Sequence, residues 1–339
     1  MLDKIDREII DIHVHFGAPK DEESGCYWSK EFEEGIAFLA MRLVTNNLFG
    51  RIDIQRIRKH MLGVINGSKH VQRCVLLAMD QVYDEDGNLC QDKTHLHVPN
   101  SYLARLAKEN NRILFGASIH PYRADWEGEL QYCLANNAVL CKLIPSSQKI
   151  DLMHPKCLPF YEKLVEHKLP LLCHVGPEAA IPPFDKSSQE LNSPRLLRHA
   201  LGIGVTVIAA HAALPLLPPP PEDDRAFREL VALFREGESK DWRLYADLSA
   251  INLGPRSYYI DRIKKEIPAQ RLIFGSDYPI PILDISQKPE LSLGHWLKHF
   301  FQTILIKNPL DKNYALIKGM EFGDSIFTNA LELIAKIKY

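Results

Sequence analysis

Four short strings of this sequence carry residue types that bind metal ions or move protons. Each string ends an apolar, β-branched run of the kind that forms a buried strand. The strings are Asp11-Ile-His13-Val-His15, Cys173-His174-Val175-Gly176, Ala210-His211-Ala212-Ala213 and Gly275-Ser276-Asp277-Tyr278-Pro279. Because the same kind of residue stands at four strand ends, the pattern is stronger evidence for a metal site than a single His-x-His pair.

The histidine pair of the first string indicates what this chemistry would be. Alternate side chains of a strand project from the same face, so His13 and His15 can reach one ion without a bend in the chain. Together with His174 and Asp277 they supply three imidazole nitrogens and one carboxylate oxygen. This donor set suits zinc and also accepts manganese or iron(II). We expect one divalent ion, with zinc as the first choice. The alternative is a hydrogen-bonded pair of core histidines.

The elements that position these residues alternate along the chain. Eight short runs are nearly continuously apolar, as in parallel strands that are covered on both faces, and amphipathic stretches separate them. This alternation predicts an α/β fold, a (β/α)8 TIM barrel, formed as a single domain by residues 1–339. The predicted strands are 8–15, 71–80, 112–120, 138–145, 170–175, 205–211, 244–250 and 271–277.

Two segments depart from the alternation and predict a distorted barrel. Residues 17–70 are too long for a simple connection and hold helix-like runs, which indicates an inserted helical segment over the barrel mouth. Residues 214–221 contain four consecutive prolines, which predict a stiff connector or a wall of the site rather than a helix or a central strand. Extra C-terminal helices are predicted over 291–305, 314–318 and 325–337.

Composition and charge restrict the class of protein. The 339 residues are 46% hydrophobic and 25% charged, with a net charge of −2, which is ordinary for a soluble globular protein. The interspersed charges give no basic footprint for nucleic acid, and no apolar stretch is long enough to span a bilayer. The seven cysteines lack a CxxC pair, and the N-terminal start is too polar for a secretory signal. We therefore expect a cytoplasmic location.

Further candidate residues follow from the barrel geometry. The carboxyl ends of all strands open on one face, where the predicted ligands would meet. His211 ends the sixth strand and could accept a proton, bind a second ion or be structural. His120 ends the third strand, where substrate contact and turn formation are both open. His95-x-His97 repeats the ligand spacing in a polar loop, which favours solvated side chains.

The chain resembles the amidohydrolase superfamily, specifically its branch of metal-dependent barrel hydrolases and decarboxylases, amidohydrolase family 2. The resemblance extends from the first string through Arg271-Leu-Ile-Phe-Gly-Ser-Asp277-Tyr-Pro279 to Phe327-Thr-Asn329-Ala330. It implies that His211 orients or deprotonates a metal-bound water, and it allows a homodimer. It also implies one set of ligands for a single metal ion: His13, His15, His174 and Asp277.

Lys142 stands near the carboxyl end of the predicted fourth strand, as the predicted ligands do on their strands. Its role has three interpretations. In two-metal relatives a lysine on this strand is carboxylated and bridges both ions, which would allow a second ion here. In one-metal relatives this residue need not touch the metal. Lys142 could instead bind a substrate carboxylate, or it could form a salt bridge.

The predicted function is that of a metal-dependent hydrolase. A divalent ion with an open position lowers the pKa of bound water to about 7. His211 or Asp277 would accept the proton, and the metal or Lys142 would offset the oxyanion charge. The reaction would cleave an amide, lactone or ester bond in a small, anionic molecule. The alternatives are a non-hydrolytic decarboxylase of an unsaturated or aromatic acid, and an inactive barrel that acts as a binding protein.

Overall fold

The structure is a computed structural model that describes residues 7–44, 52–215, 224–253, 256, 258–280 and 303–334. The predicted helix over 291–305 lies outside these residues except at 303–305. Most of the proline-rich segment, from 216 onwards, also lies outside them.

The described chain contains one large and one small sheet. Eight parallel strands form the large sheet in the order β1-β3-β5-β6-β7-β8-β9-β10, and β2 pairs with β4 in an antiparallel ladder. The strands are β1 Ile10–His15, β2 Tyr27–Trp28, β3 Arg73–Leu77, β4 Leu96–His97, β5 Ile113–Ala117, β6 Leu140–Leu143, β7 Leu171–Cys173, β8 Val207–Ala209, β9 Leu244–Asp247 and β10 Leu272–Ile273.

The large sheet closes on itself between its first and last strands. The Asp277 amide donates to the His13 carbonyl at 2.8 Å, and the His15 amide donates to the Tyr278 carbonyl at 2.8 Å. Each strand of the barrel falls within its predicted range. The predicted TIM barrel is therefore confirmed.

Helices alternate with the barrel strands. Most of the buried apolar residues form one cluster shared by strands and helices. Within the described ranges, no helix is both long and apolar enough to cross a membrane. The helices are α1 Lys30–Glu33, α2 Ile36–Val44, α3 Ile54–Gly67, α4 Asn100–Glu109, α5 Trp126–Ala135, α6 Pro145–Gln148, α7 Cys157–Glu166, α8 Arg198–Ile203, α9 Arg225–Lys240, α10 Ile260–Glu266, α11 Pro309–Gly319 and α12 Asn329–Leu333.

The segment between β1 and β3 lies over the barrel mouth. Phe32 of α1 and Met41 of α2 line a cavity together with residues from the strand ends. Helix α3 begins at an Asp53 cap, whose side chain accepts from the Arg56 amide. His60 of α3 lies with its Nε2 2.7 Å from the Tyr278 hydroxyl, so the insertion is joined to the chain that follows β10.

The barrel interior sets the direction of the side chains at the mouth. Leu140 on β6 and Leu172 on β7 belong to a small apolar cluster that fills the barrel. The side-chain period of a strand is two, so Lys142 and His174 continue the same inward face toward the mouth. Residues Ala330, Leu333 and Ile334 of the C-terminal region pack into this cluster.

Strand β1 needs an irregularity to aim its histidines inward. Ile10 and Ile12 belong to the interior cluster, so a regular strand would send His13 outward. The pairing of β1 with β3 shifts register between Asp11 and Val14, and such a shift re-aims the following side chains. His13 and His15 then share the inward face.

Gly176 tests how closely the chain after β7 approaches the turn after β8. Its φ is +83°, and a Cβ there would lie 2.6 Å from the carbonyl oxygen of Ala213. We expect Gly176→Ala to lower the free energy of unfolding by about 2–4 kcal/mol, measured by denaturant titration. Gly128→Ala in α5 is the control, because its Cβ would meet nothing within 4 Å. An unchanged stability of Gly176→Ala would contradict the close approach.

Candidate metal centre

Three of the four predicted ligands lie around one point at the barrel mouth. The Nε2 atoms of His13 and His15 are 3.0 Å apart. Asp277 Oδ1 lies 3.2 Å from His15 Nε2 and 3.6 Å from His13 Nε2. One ligand atom from each residue falls within a group whose members all lie within 4.8 Å of one another. This spacing suits donors that share an ion.

Asp247 fixes the orientation of His13. Its Oδ2 lies 2.8 Å from His13 Nδ1. A proton on Nδ1 satisfies this contact and leaves the Nε2 lone pair directed at the other ligands. Burial, with the nearby charge of Lys142, lowers the pKa of His13 to about 4. The ring is therefore neutral at pH 7, which is the form that binds a metal.

His174 lies on the same cavity as His15 and Asp277 but outside the 4.8 Å group. Its Nδ1 lies 3.2 Å from Glu178 Oε2. Its Nε2 is buried and has no hydrogen-bond partner among the residues described. An unsatisfied buried nitrogen is unfavourable, and a metal ion would satisfy it. The four residues together therefore fit a divalent ion, with donors that zinc, manganese and iron(II) all accept.

Asp277 supplies the anionic member of the set. Burial by itself would raise the pKa of this carboxyl, but the hydrogen bond with His15 and the nearby histidines lower it to about 2. The carboxylate is therefore ionised at neutral pH. Its backbone φ is +63°, in the left-handed region that residues other than glycine seldom adopt.

His211 lies beside the ligands, in the turn that follows β8. Its ring is stacked on His13 with the centroids 4.9 Å apart. Its Nδ1 lies 2.7 Å from Ser249 Oγ and 3.8 Å from Asp277 Oδ2. Burial lowers the pKa of His211 well below its usual value. The arrangement presents a neutral imidazole next to the predicted ligands.

Lys142 lies in the cluster of predicted ligands, whereas His120 lies outside it. Lys142 is buried, and its Nζ lies 3.3 Å from His13 Nε2, so it is part of the cluster. His120 is not brought into this cluster. Its Nε2 lies 2.8 Å from the Gln148 carbonyl, and its Nδ1 accepts from the Tyr122 amide at 3.2 Å. Both ring nitrogens of His120 thus have backbone partners.

The interpretation of His95 and His97 as solvated loop residues is wrong. His97 belongs to β4, and its Nδ1 lies 2.9 Å from the Met79 carbonyl. The His95 side chain is 10% exposed, and its Nδ1 lies 2.9 Å from Ser29 Oγ. Both residues are half-buried beside the small ladder of β2 and β4. Two-residue strands are too short to be recognised from alternation in the sequence.

Sequence reasoning missed three polar residues of the site: Glu178, Ser249 and Arg256. Glu178 orients His174, and its position four residues after a predicted ligand was an available signal. Ser249 contacts His211, and it follows Asp247 by two residues. Arg256 lines the cavity, but it lies beyond the end of β9, where no periodic pattern fixes the direction of a side chain.

Comparison with known proteins places the chain in a family. Residues 77–305 match the family model for amidohydrolases, and this match covers more than half of the chain. The chain therefore belongs to the amidohydrolase family. The match does not include β1, which carries His13 and His15. No curated protein matches the sequence.

Solved structures with the same barrel are distant in sequence. An uncharacterized TIM-barrel protein from Bordetella bronchiseptica has 15% identity and a TM-score of 0.58, covering 97% of this chain and 99% of that one. A probable 2-pyrone-4,6-dicarboxylic acid hydrolase from Acinetobacter baumannii, with citric acid bound, has 14% identity and a TM-score of 0.53, covering 97% and 100%. A dihydroxybenzoic acid decarboxylase from Polaromonas sp. JS666, with bound manganese and 2-nitroresorcinol, has 16% identity and a TM-score of 0.54, covering 98% of each chain. These likenesses show the fold.

The ligand set can be tested by metal analysis. We expect His15→Ala to hold less than about 0.3 divalent ion per chain after reconstitution, because one of four donors is lost. Elemental analysis by mass spectrometry gives the content. His167→Ala, at the C-terminal end of α7, is the control and should match the wild type. Equal metal content in His15→Ala and the wild type would remove His15 from the ligands.

The contact between Glu178 and His174 gives a separate prediction. Glu178→Ala removes the acceptor that orients the His174 ring, so metal affinity should fall about 10- to 100-fold. Titration with a metal-sensitive dye measures the dissociation constant. Glu166→Ala on the exposed face of α7 is the matched control. An unchanged affinity in Glu178→Ala would show that this carboxylate does not support the ligand.

Proposed function

We propose that this protein is a metal-dependent hydrolase that cleaves an amide, lactone or ester bond in a small anionic molecule. The observation that carries the proposal is the position of His211. This neutral imidazole lies between the predicted ligands and an open cavity. The amidohydrolase family is enzymatic, which supports a catalytic role for such a cluster.

His211 is the proposed proton acceptor. The Ser249 hydroxyl donates to Asp247 Oδ1, which leaves its oxygen to accept a hydrogen bond from a protonated His211 Nδ1. With Nδ1 protonated, Nε2 carries the lone pair and has no hydrogen-bond partner among the described residues. Nε2 can therefore take a proton from a water molecule in the cavity. A divalent ion, when bound by the four ligands, would act as a Lewis acid and lower the pKa of that water.

Asp277 is the proposed route for the proton to the leaving group. Its Oδ2 lies 3.8 Å from His211 Nδ1, so the two groups are close enough to exchange a proton after a small movement. The Lys142 Nζ lies 3.3 Å from His13 Nε2. Burial lowers the pKa of Lys142, and its ammonium form would offset negative charge that develops on the substrate oxygen.

Decarboxylation of an unsaturated or aromatic acid is the second candidate. The specific observation in its favour is the apolar wall of the cavity, which includes Phe16, Phe32 and Ile144 and would hold an unsaturated ring. In this reaction a carbon–carbon bond breaks, carbon dioxide leaves, and a proton goes to the carbon that carried it. An assay of metal-loaded protein that follows carbon dioxide release beside ring-opened product separates the two reactions.

We also propose zinc as the resident ion, a cytoplasmic location and a homodimeric assembly. The donor set supports zinc as the resident ion. The cysteines support a reducing compartment, because all seven are free and six are buried. The homodimer rests on the family resemblance alone. A second ion would require a carboxylated Lys142, which mass spectrometry of the intact protein would detect. Metal content below about 0.3 per chain would favour an inactive binding protein instead.

The role of His211 is tested by His211→Asn. Loss of the proton acceptor should reduce turnover about 10²- to 10⁴-fold, while metal content stays near that of the wild type. Steady-state rates and elemental analysis of the same sample measure both. His167→Asn is the control and should keep full activity. Loss of metal together with activity would instead make His211 a ligand.

A further inference from the structure

The cavity above the candidate metal centre has one polar wall and one apolar wall. The polar residues of its described lining lie at the strand ends of the barrel or in the loops that follow them. The insertion over 17–70 lies across the mouth, and the described side chains that it adds to the lining are apolar: Phe32, Ala37 and Met41. Covering an apolar wall with an apolar group is favourable. The cavity therefore suits an occupant that is apolar on the side remote from the metal ligands.

Helix α2 directs Ala37 and Met41 at the cavity. Residues four apart lie on one face of a helix, and both residues line the cavity, where Met41 is 5% exposed. Leu39 and Leu43 lie on the opposite face and are 54% and 48% exposed. The two faces fix the rotation of α2 about its axis, so the Met41 side chain extends from the helix toward the barrel mouth.

Aromatic packing holds the apolar wall in position. The Trp28 ring lies 5.9 Å from the Phe32 ring and 5.3 Å from the Phe38 ring, measured between centroids. The Trp28 Nε1 also donates to Glu33 Oε1 at 2.7 Å. These contacts join β2 to α1 and α2, and β2 pairs with β4. Because such rings pack in defined geometries, the wall that carries Met41 lies at a defined distance from the strand ends.

We propose that Met41 limits the length of the apolar group that the cavity accepts, and that the substrate carries such a group on the side remote from its reacting bond. Met41 is then a specificity residue and takes no part in proton transfer. This inference rests on the proposed function, because it treats the cavity as the substrate site. It applies to hydrolysis and to decarboxylation alike.

Straight-chain hydroxamic acids test this limit, because the hydroxamate group binds a divalent ion and the tail then extends into the cavity. Isothermal titration of metal-loaded protein gives the dissociation constants from acetohydroxamate to octanohydroxamate. In the wild type we expect the affinity to rise about fourfold for each methylene group that becomes buried. The rise should stop at a certain tail length, which is the wild-type limit.

Met41→Ala should move this limit to longer tails. The substitution removes the thioether beyond Cβ, which has the length of about three methylene groups. Hydroxamates beyond the wild-type limit should therefore bind Met41→Ala about 10- to 60-fold more tightly than the wild type. Met61→Ala on α3 is the matched control, because Met61 is also buried in the insertion but does not line the cavity. Its limit should equal that of the wild type.

The outcomes separate this inference from the proposed reaction. An identical limit in Met41→Ala and in the wild type would overturn the role of Met41. A wild-type affinity that rises through the whole series, or does not rise at all, would overturn it as well. Binding does not require turnover, so a limit that depends on Met41 in a protein that turns over no substrate would overturn the reaction alone.

A variant in the opposite direction keeps the test decisive if Met41→Ala does not fold. Ala37→Leu adds an isopropyl group to the same wall, one turn earlier on α2, and should shorten the limit by about one to three carbons. A crystal structure of the wild type with the hydroxamate at the limit should place the tail within about 4.5 Å of the Met41 side chain. A tail that is directed away from α2 would contradict the proposal.

Discussion

One buried carboxylate, Asp247, contacts both a predicted metal ligand, His13, and the proposed proton acceptor, His211. Its Oδ2 contacts His13 Nδ1, and its Oδ1 accepts from the backbone amides of His211 and Ser249. Burial alone would raise the pKa of Asp247, but the contacts with His13 and Ser249 hold it below its usual range. The ionised carboxylate thus sets the tautomer of one predicted ligand and the backbone position of the proposed proton acceptor. Few substitutions would conserve both functions, since an amide at this position carries no charge and has only one acceptor oxygen.

The same region stores backbone strain. His211, Ala250 and Asp277 follow three neighbouring strands, and all have φ between +51° and +63°. For residues other than glycine, each such conformation costs about 1–3 kcal/mol, and it persists only where surrounding contacts hold it. The Asp247 carboxylate accepts from the His211 amide, and the His13 carbonyl accepts from the Asp277 amide. A hydrogen bond that closes the barrel therefore also holds the predicted ligand Asp277 in place, and the Asp247 carboxylate holds the backbone of His211.

The sequence was sufficient for the barrel. The carboxyl ends of its strands open on one face, so the sequence pattern places His13, His174 and Asp277 at one mouth, but the inward direction of His13 also requires the register shift in β1, which the sequence does not reveal. The same reasoning leaves alternatives open where the backbone is not a strand. His120 ends in a turn that uses both of its ring nitrogens, and Arg256 reaches the cavity from a segment whose sequence carries no directional pattern. Substrate-binding residues often stand on loops, where the sequence does not fix the direction of a side chain, and they are therefore the hardest to predict.

Charge balance explains why one site can support either of two reactions. In the candidate site the imidazoles of His13, His174 and His211 are uncharged at neutral pH, because burial lowers the pKa of each. The Asp247 and Asp277 carboxylates offset the two charges of a divalent ion, and the cations Lys142 and Arg256 then outnumber the one further carboxylate described at the site, Glu178. The occupied site would therefore attract an anion, and its apolar wall would strengthen that attraction by lowering the local dielectric constant. Both a carboxylated lactone and an aromatic acid would meet this requirement, so charge does not separate the two proposed reactions, and the proposed proton transfers by His211 and Asp277 would have to do so.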